Sequence, residues 1–201
     1  MCISTIYKMI KIAIFASGSG TNAENIIRYF NNQHRINVAL IVSNNPKAYV
    51  LQRALKAKVP TVICSKDELT NTQSILKLLN EYEINWIILA GFLLKIPDFV
   101  IDAYPKRIIN IHPALLPKYG GKGMYGEHVH KAVVASGEKE SGITIHYVNK
   151  NYDEGDVIFQ ATCPVISSDT PDDVAAKIHI LEQTHFPTII EHLILSSESI
   201  K

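Results

Sequence analysis

"IKIAIFASGSGTNAENIIRYF", Ile10 to Phe30, decides the architecture of this chain. Ile10–Phe15 reads as a first strand, a glycine-rich turn follows, and a helix runs from about Asn22 to Asn32. The same alternation continues downstream. Val38–Ser43 reads as a second strand, and "NNPKAYVLQRALKAKVP" as a loop, a helix and a stop, with Asn45-Pro46 opening the turn and Pro60 ending the helix. Thr61–Cys64 is a short third strand, followed by a helix near Thr72–Tyr82. "NWIILAGF" (85–92) is apolar on both faces, as a buried parallel strand is. Pro97–Tyr104 reads as a short helix and Ile108–Ile111 as a fifth strand. Alternation of this kind predicts an α/β fold, a Rossmann-like doubly wound, mostly parallel sheet flanked by helices in a single domain.

After Gly121 the pattern changes. A helix near Glu127–Ser136 leads into "GITIHYVN", and "VIFQATCPV" follows the polar turn "KNYDEGD", which predicts an antiparallel or mixed edge. Thr170 as N-cap, Pro171 at the first helical position and Asp173 at the third predict a last helix reaching about Leu195. Repeats, low-complexity tracts and linkers are absent from the sequence. Residues 1–9 read as an N-terminal extension or upstream start, 10–195 as the domain and 196–201 as a C-terminal tail.

The 201 residues suffice for one sizeable core, and 47% hydrophobic with 19% charged residues is a globular composition. The net charge of +1, with Lys and Arg scattered, gives no basic stripe for a nucleic acid. Cys2, Cys64 and Cys163 form neither a disulfide framework nor a zinc pattern, and suit a reducing cytoplasm. "MIKIAIFASGSG" (9–20) is too short in its apolar part for a signal peptide, and no run approaches the ~20 apolar residues of a membrane span.

Gly18, Gly20 and Ala23 fit G-x-G-x-x-[GA] between a strand and a helix, the dinucleotide pattern. That reading requires an acidic residue about 20 positions on. The second strand ends instead in Val42-Ser43-Asn44-Asn45-Pro46, which argues against NAD. The loop still has what one phosphate needs: glycines for close backbone approach, and Thr21 and Asn22 as donors at a helix N-terminus. The bland alternative is a tight turn before a capped helix.

"IINIHPALLPKYGG" (108–121) carries the chemistry. Asn110 and His112, two apart on a strand, face the same side. They lie at a carboxyl end of the sheet, where open α/β sheets bind ligands. Pro113 and Pro117 fix the loop behind them. An amide donates to a developing oxyanion, and an imidazole exchanges protons near neutral pH. No nucleophile motif is present, so the pair points to acyl transfer without a covalent intermediate. A charged imidazole needs a carboxylate, and the turn offers Asp153, Glu154 and Asp156, among which spacing does not choose. Taken alone, His112 reads as a hydrogen-bonded core or loop histidine; its company reverses that.

On these residues the chain resembles the folate-dependent phosphoribosylglycinamide formyltransferase family, over about residues 10 to 195. "NIHPALLPKYGG" is similar to the family's N-x-H-P-[SA]-L-L-P motif, "FASGSGTNAENII" to its phosphate loop, "LAGFLLKI" to its folate segment and "IHYVNKNYDEGDVIFQ" to its last catalytic segment. The resemblance implies a formyltransferase fold and transfer of a formyl group from 10-formyltetrahydrofolate to glycinamide ribonucleotide in purine biosynthesis. By motif, Asn110 would hold the formyl oxygen, His112 would act as general acid, and Asp153 would raise the pKa of His112. His146 matches a further active-site position. Gly20, Thr21 and Asn22 would bind the substrate phosphate, and Glu182 would lie near the ribose and glycinamide end. Leu93, Leu94, Lys95 and Ile96, with Asn110 and with Asn149, Lys150, Asn151, Tyr152 and Asp153, would border the folate, largely through backbone groups.

The chain departs from the family at Leu93-Leu94-Lys95-Ile96, where Met-Arg-Ile-Leu is frequent, and in its Asp-Glu-Gly-Asp turn. The long "GGKGMYGEHVHKA" segment reads as a glycine-rich lid, and its His128 and His130 lack a third metal ligand nearby in sequence, so no metal is expected. The partners implied are the two small-molecule substrates, without nucleic acid or membrane, acting on a monomer or a homodimer in the cytoplasm. Formyltetrahydrofolate deformylases share the same trio but carry an added N-terminal domain. Methionyl-tRNA formyltransferases add a C-terminal one. A non-catalytic nucleotide- or folate-binding module is the alternative from another class.

Overall fold

The expected strands assemble into one seven-stranded sheet of order β3-β2-β1-β4-β5-β6-β7. They are β1 (Ile10–Phe15), β2 (Ile36–Ser43), β3 (Thr61–Ile63), β4 (Trp86–Leu89), β5 (Ile108–His112), β6 (Glu140–Tyr147) and β7 (Val157–Pro164). The structure, a computed structural model, describes residues 9–198. Strands β1 to β5 pair in parallel, while β6 joins β5, and β7 joins β6, antiparallel. The mixed edge expected from "GITIHYVN" and "VIFQATCPV" is thus a hairpin added to a doubly wound sheet.

Among the described residues seven helices flank it: α1 (Thr21–Phe30), α2 (Tyr49–Lys56), α3 (Lys66–Thr70), α4 (Thr72–Glu81), α5 (Asp98–Ala103), α6 (Glu127–Ala135) and α7 (Pro171–Glu198). The central strands alternate their apolar side chains between two cores, as a sheet buried on both faces must. Ile12 and Ile14 of β1 pack with Ile26 of α1, Val50 of α2, Val129 of α6 and Ile178 of α7. Ala13 and Phe15 pack on the other face with Leu69, Ile75, Leu79 and Val100 of α3, α4 and α5.

Three features differ from the sequence expectation. Helix α3 was not anticipated; Ser65 and Glu68 form a reciprocal capping box that starts it, enough to fix a five-residue turn. Helix α1 begins one residue early, at Thr21. Helix α7 continues through residues 196–198, which the sequence reading places in the tail. The extension at residues 1–8 and the last three residues lie outside the described part. Thr170 does cap α7: its Oγ1 accepts from Asp173 N at 3.2 Å, and its own N–H donates to Asp173 Oδ2 at 2.9 Å.

Helix α7 contains Pro187, which has no N–H to give the carbonyl four residues back. That carbonyl, on Gln183, instead accepts from Asn25 Nδ2 of α1 at 2.8 Å. The gap in one helix's ladder becomes the joint between two helices.

Candidate active site

The order of the sheet reverses between β1 and β4, and the glycine loop lies at that switch point. Ser17 fastens the two sides together. Its N–H donates to Gly91 O at 3.0 Å, and its Oγ accepts from Leu93 N at 2.9 Å. Gly20 has φ +74°, and a Cβ there would sit 2.5 Å from the Val50 side chain, so only glycine fits. No side chain caps α1, which leaves the N–H groups of its first turn, at Thr21 and Asn22, open to an anion. Arg53 of α2 holds the loop from behind: its Nε donates to Ser19 O at 2.9 Å while its guanidinium pairs with Glu24.

The second group gathers at the carboxyl end of β5. Antiparallel pairing sets Asn110 directly opposite His146 on β6. His146 Nδ1 lies 2.8 Å from Tyr147 O, and a carbonyl only accepts, so Nδ1 carries the proton. Nε2 is then the acceptor for Asn110 Nδ2 at 3.1 Å. One amide hydrogen of Asn110 is thereby fixed, and the other is available to an incoming oxygen.

His112 is 3% exposed and lies between two acceptors. Its Nε2 is 2.7 Å from Tyr119 O and its Nδ1 is 3.5 Å from Asp153 Oδ2. Burial lowers its pKa, Asp153 and the Tyr119 carbonyl raise it, and burial prevails, so the ring sits below the usual histidine value. Asp153 acts to raise the pKa of His112, but less than burial lowers it. Burial also raises the carboxyl of Asp153. The facing His146, the His112 charge and the Gly121 N–H at 2.9 Å together outweigh that and hold it below its usual value. Asp153 Oδ1 is 3.6 Å from His146 Nε2, so one carboxylate spans both histidines.

Of the turn's three acids, only Asp153 faces this group. It has φ 55°, which turns it inward. Glu154 accepts from Asn151 Nδ2 at 2.8 Å, and Asp156 lies 3.9 Å from Lys106 in solvent. Gly155 makes the turn feasible, since a Cβ there would fall 1.7 Å from Tyr147 O.

Leu94, from the first expected folate segment, and Val148, just ahead of the second, pack on one core cluster with Ile108 at the start of β5. Leu93 is exposed, and Ile96 is buried in that core. Lys95 reaches Asp98 at 3.5 Å. Asn149 closes its own turn onto Asn151 N at 2.9 Å, Lys150 pairs with Asp102 at 3.0 Å, and Tyr152 is 40% exposed. Glu182 stands apart from the trio. It is 6% exposed on α7, beside the joint to α1, and pairs with His179 Nδ1 at 3.0 Å.

His128 and His130 diverge, because two positions on a helix point to nearly opposite sides. His128 stacks edge-on against Tyr125 in solvent, while His130 is buried. Among the described residues no cluster of three His, Cys, Asp or Glu side chains is arranged to hold a metal, and no helix is long and apolar enough to cross a membrane. Sequence reasoning missed the Tyr119 carbonyl, the Gly121 N–H and Arg53. The first two are backbone groups with no residue signature, and Arg53 is one of many helical arginines.

A doubly wound sheet carrying an amide, two imidazoles and a carboxylate where β5 meets β6 has close counterparts. The chain belongs to the formyl transferase family, whose pattern it matches over residues 10–190. Its relatives include a chloroplastic phosphoribosylglycinamide formyltransferase of Arabidopsis thaliana, 39% identical over 175 residues, covering 84% of this chain and 60% of that protein. The phosphoribosylglycinamide formyltransferase of Bacillus subtilis is 34% identical over 191 residues, 92% of this chain and 95% of that protein. The chain thus spans about 60% of the length of the plant relative and nearly all of the bacterial one. Among solved structures, glycinamide ribonucleotide transformylase 1 from Geobacillus kaustophilus superimposes with a TM-score of 0.83 at 34% identity, over 92% of this chain and 99% of that one.

Proposed function

We propose that the chain transfers the formyl group of 10-formyltetrahydrofolate to the primary amine of glycinamide ribonucleotide, a step of purine biosynthesis. The observation that carries this reading is the joined set Asn110–His146–Asp153–His112, with successive contacts at 3.1 to 3.6 Å and facing one strand end. Both substrates are small molecules. The ribonucleotide phosphate sits on Gly20, Thr21 and Asn22 at the N-terminus of α1, its ribose and glycinamide end extends toward Glu182, and the folate lies along Leu93–Ile96 and Asn149–Asp153.

The carbonyl of Tyr119 on His112 Nε2 stands where the formyl oxygen binds. The donor's carbonyl displaces it and takes the Nε2–H together with the second amide hydrogen of Asn110. The amine lone pair then attacks the formyl carbon, and the oxyanion forms against these two donors. Asp153 stabilises positive charge on His112 as the ring mediates proton transfer. The added nitrogen loses one proton, N10 gains one, and collapse of the adduct breaks the bond to N10. Most of the rate enhancement comes from holding two substrates in line and from the preset donors.

The test is a spectrophotometric assay with 10-formyltetrahydrofolate, with and without glycinamide ribonucleotide. Turnover only with the ribonucleotide is expected. Tetrahydrofolate release without any amine would make water the acceptor and the chain a deformylase. Both ligands binding without turnover would make it a binding module.

A further inference from the structure

The segment that leaves β5 turns back on the strand it left, and β6 and β7 hold the turn. His112 of β5 stands opposite Thr144 of β6, and Thr144 opposite Gln160 of β7, one row across three strands. The buried Thr144 hydroxyl donates to Ala114 O at 2.7 Å and accepts from Leu116 N at 3.0 Å and from Gln160 Nε2 at 2.9 Å. A hydroxyl has one hydrogen and two lone pairs, so this one is full. The Leu116 carbonyl is left to Gln160, whose Nε2 reaches it at 3.1 Å. Leu116 is thus gripped through both its N–H and its carbonyl. Three residues on, the chain brings Tyr119 O to 2.7 Å from His112 Nε2.

A neutral imidazole carries one ring proton, and the partners of its two nitrogens decide which of them holds it. His112 has an acceptor on each side: Tyr119 O at 2.7 Å from Nε2, and Asp153 Oδ2 at 3.5 Å from Nδ1. A carboxylate is the stronger acceptor. The proton stays on Nε2 only while the carbonyl keeps its closer approach. Nε2–H is the donor that meets the formyl oxygen in the reaction above, whereas a ring protonated on Nδ1 turns a lone pair toward that oxygen. We propose that Gln160 is a positioning residue for this proton: by fixing Leu116 it seats the Tyr119 carbonyl on His112 Nε2 and so presents the ring in the tautomer that formyl transfer uses. The kinetic consequence rests on the formyltransferase reading; the tautomer does not.

The test uses Gln160→Met, which keeps the length of the side chain and removes both donors. Nitrogen-15 NMR of the neutral His112 ring reads the tautomer directly. In the wild type the protonated nitrogen is expected to be Nε2, a readout that needs no variant to fold. In Gln160→Met part of the ring population moves to the Nδ1–H form. There kcat falls roughly tenfold, as loss of one hydrogen bond displaces an equilibrium, while KM for each substrate stays within about twofold. A wild-type ring protonated on Nδ1 overturns the proposal. So does a Gln160→Met ring that keeps the wild-type tautomer, because a fall in turnover would then reflect loosened packing alone. If Gln160→Met shifts the tautomer but the wild type formylates no ribonucleotide, the formyltransferase reading falls and the hold of Gln160 on the ring stands.

Discussion

Burial and Asp153 pull the His112 ring in opposite directions, and Asp153 is the part that can be removed cleanly. Asp153→Asn takes away the leading influence that raises the imidazole pKa, so the titration of His112 followed by NMR moves further below the ordinary value. Turnover falls by about 10²–10⁴, the range for general acid–base groups. A His112 titration that stays in place would mean the 3.5 Å contact carries no weight. The sequence showed Asn110 and His112 as a pair through strand spacing alone, because a two-residue period is a local property. It did not separate Asp153 from Glu154 and Asp156. That choice is made by a left-handed φ of 55° at Asp153 and by the space only Gly155 leaves beside Tyr147. For His130, the sequence showed only a second histidine two places from His128. Its burial depends on how α6 meets α7.

At the scale of elements, the joint between α1 and α7 depends on a hydrogen bond that a helix ordinarily keeps to itself. Asn25→Ala removes the donor to Gln183 O and should cost about 1 kcal/mol, a typical hydrogen-bond contribution. In a Pro187→Ala background the helix can close its own ladder onto that carbonyl, so Asn25→Ala should cost less there. Denaturant unfolding of the two single variants and the double variant measures the difference, and additive effects would dismiss the compensation. The cap of α7 was legible as Thr-Pro-Asp-Asp, and the strands as apolar runs. Helix α3 was not, since five residues carry too little periodicity, although Ser65 and Glu68 spelled its capping box. Nothing in the sequence near Pro187 names Asn25, 162 positions earlier, as its partner.

For the whole molecule, the buried histidines set the response to acid. His112 and His130 both sit below the ordinary value of 6.5. Below about pH 6.5 the unfolded chain therefore takes up protons the native chain refuses, and stability declines as pH falls. Half-exposed His179, raised by Glu182, works the other way; its contribution is full in acid and fades as pH rises through its folded value. Asp153, lowered from 3.8, adds a loss only at still lower pH. With two buried rings against one partly solvated ring, the thermal midpoint should drop between pH 7.5 and 5.5, by ~2–4 °C for each 1 kcal/mol lost. His112→Asn should flatten that slope; a midpoint that rises toward acid would contradict the burial of neutral rings.

The sheet changes from parallel to antiparallel at β5, and this divides the proposed catalytic set. Asn110 and His112 arrive with the parallel strands, whereas His146 and Asp153 arrive with the hairpin laid against them. The glycine loop proposed to hold the phosphate is complete without that hairpin. Partial opening at the β5–β6 seam, well short of global unfolding, would disperse the reacting groups and leave anion binding intact. During refolding, catalytic competence should return with the docking of one hairpin, after the glycine loop has already formed.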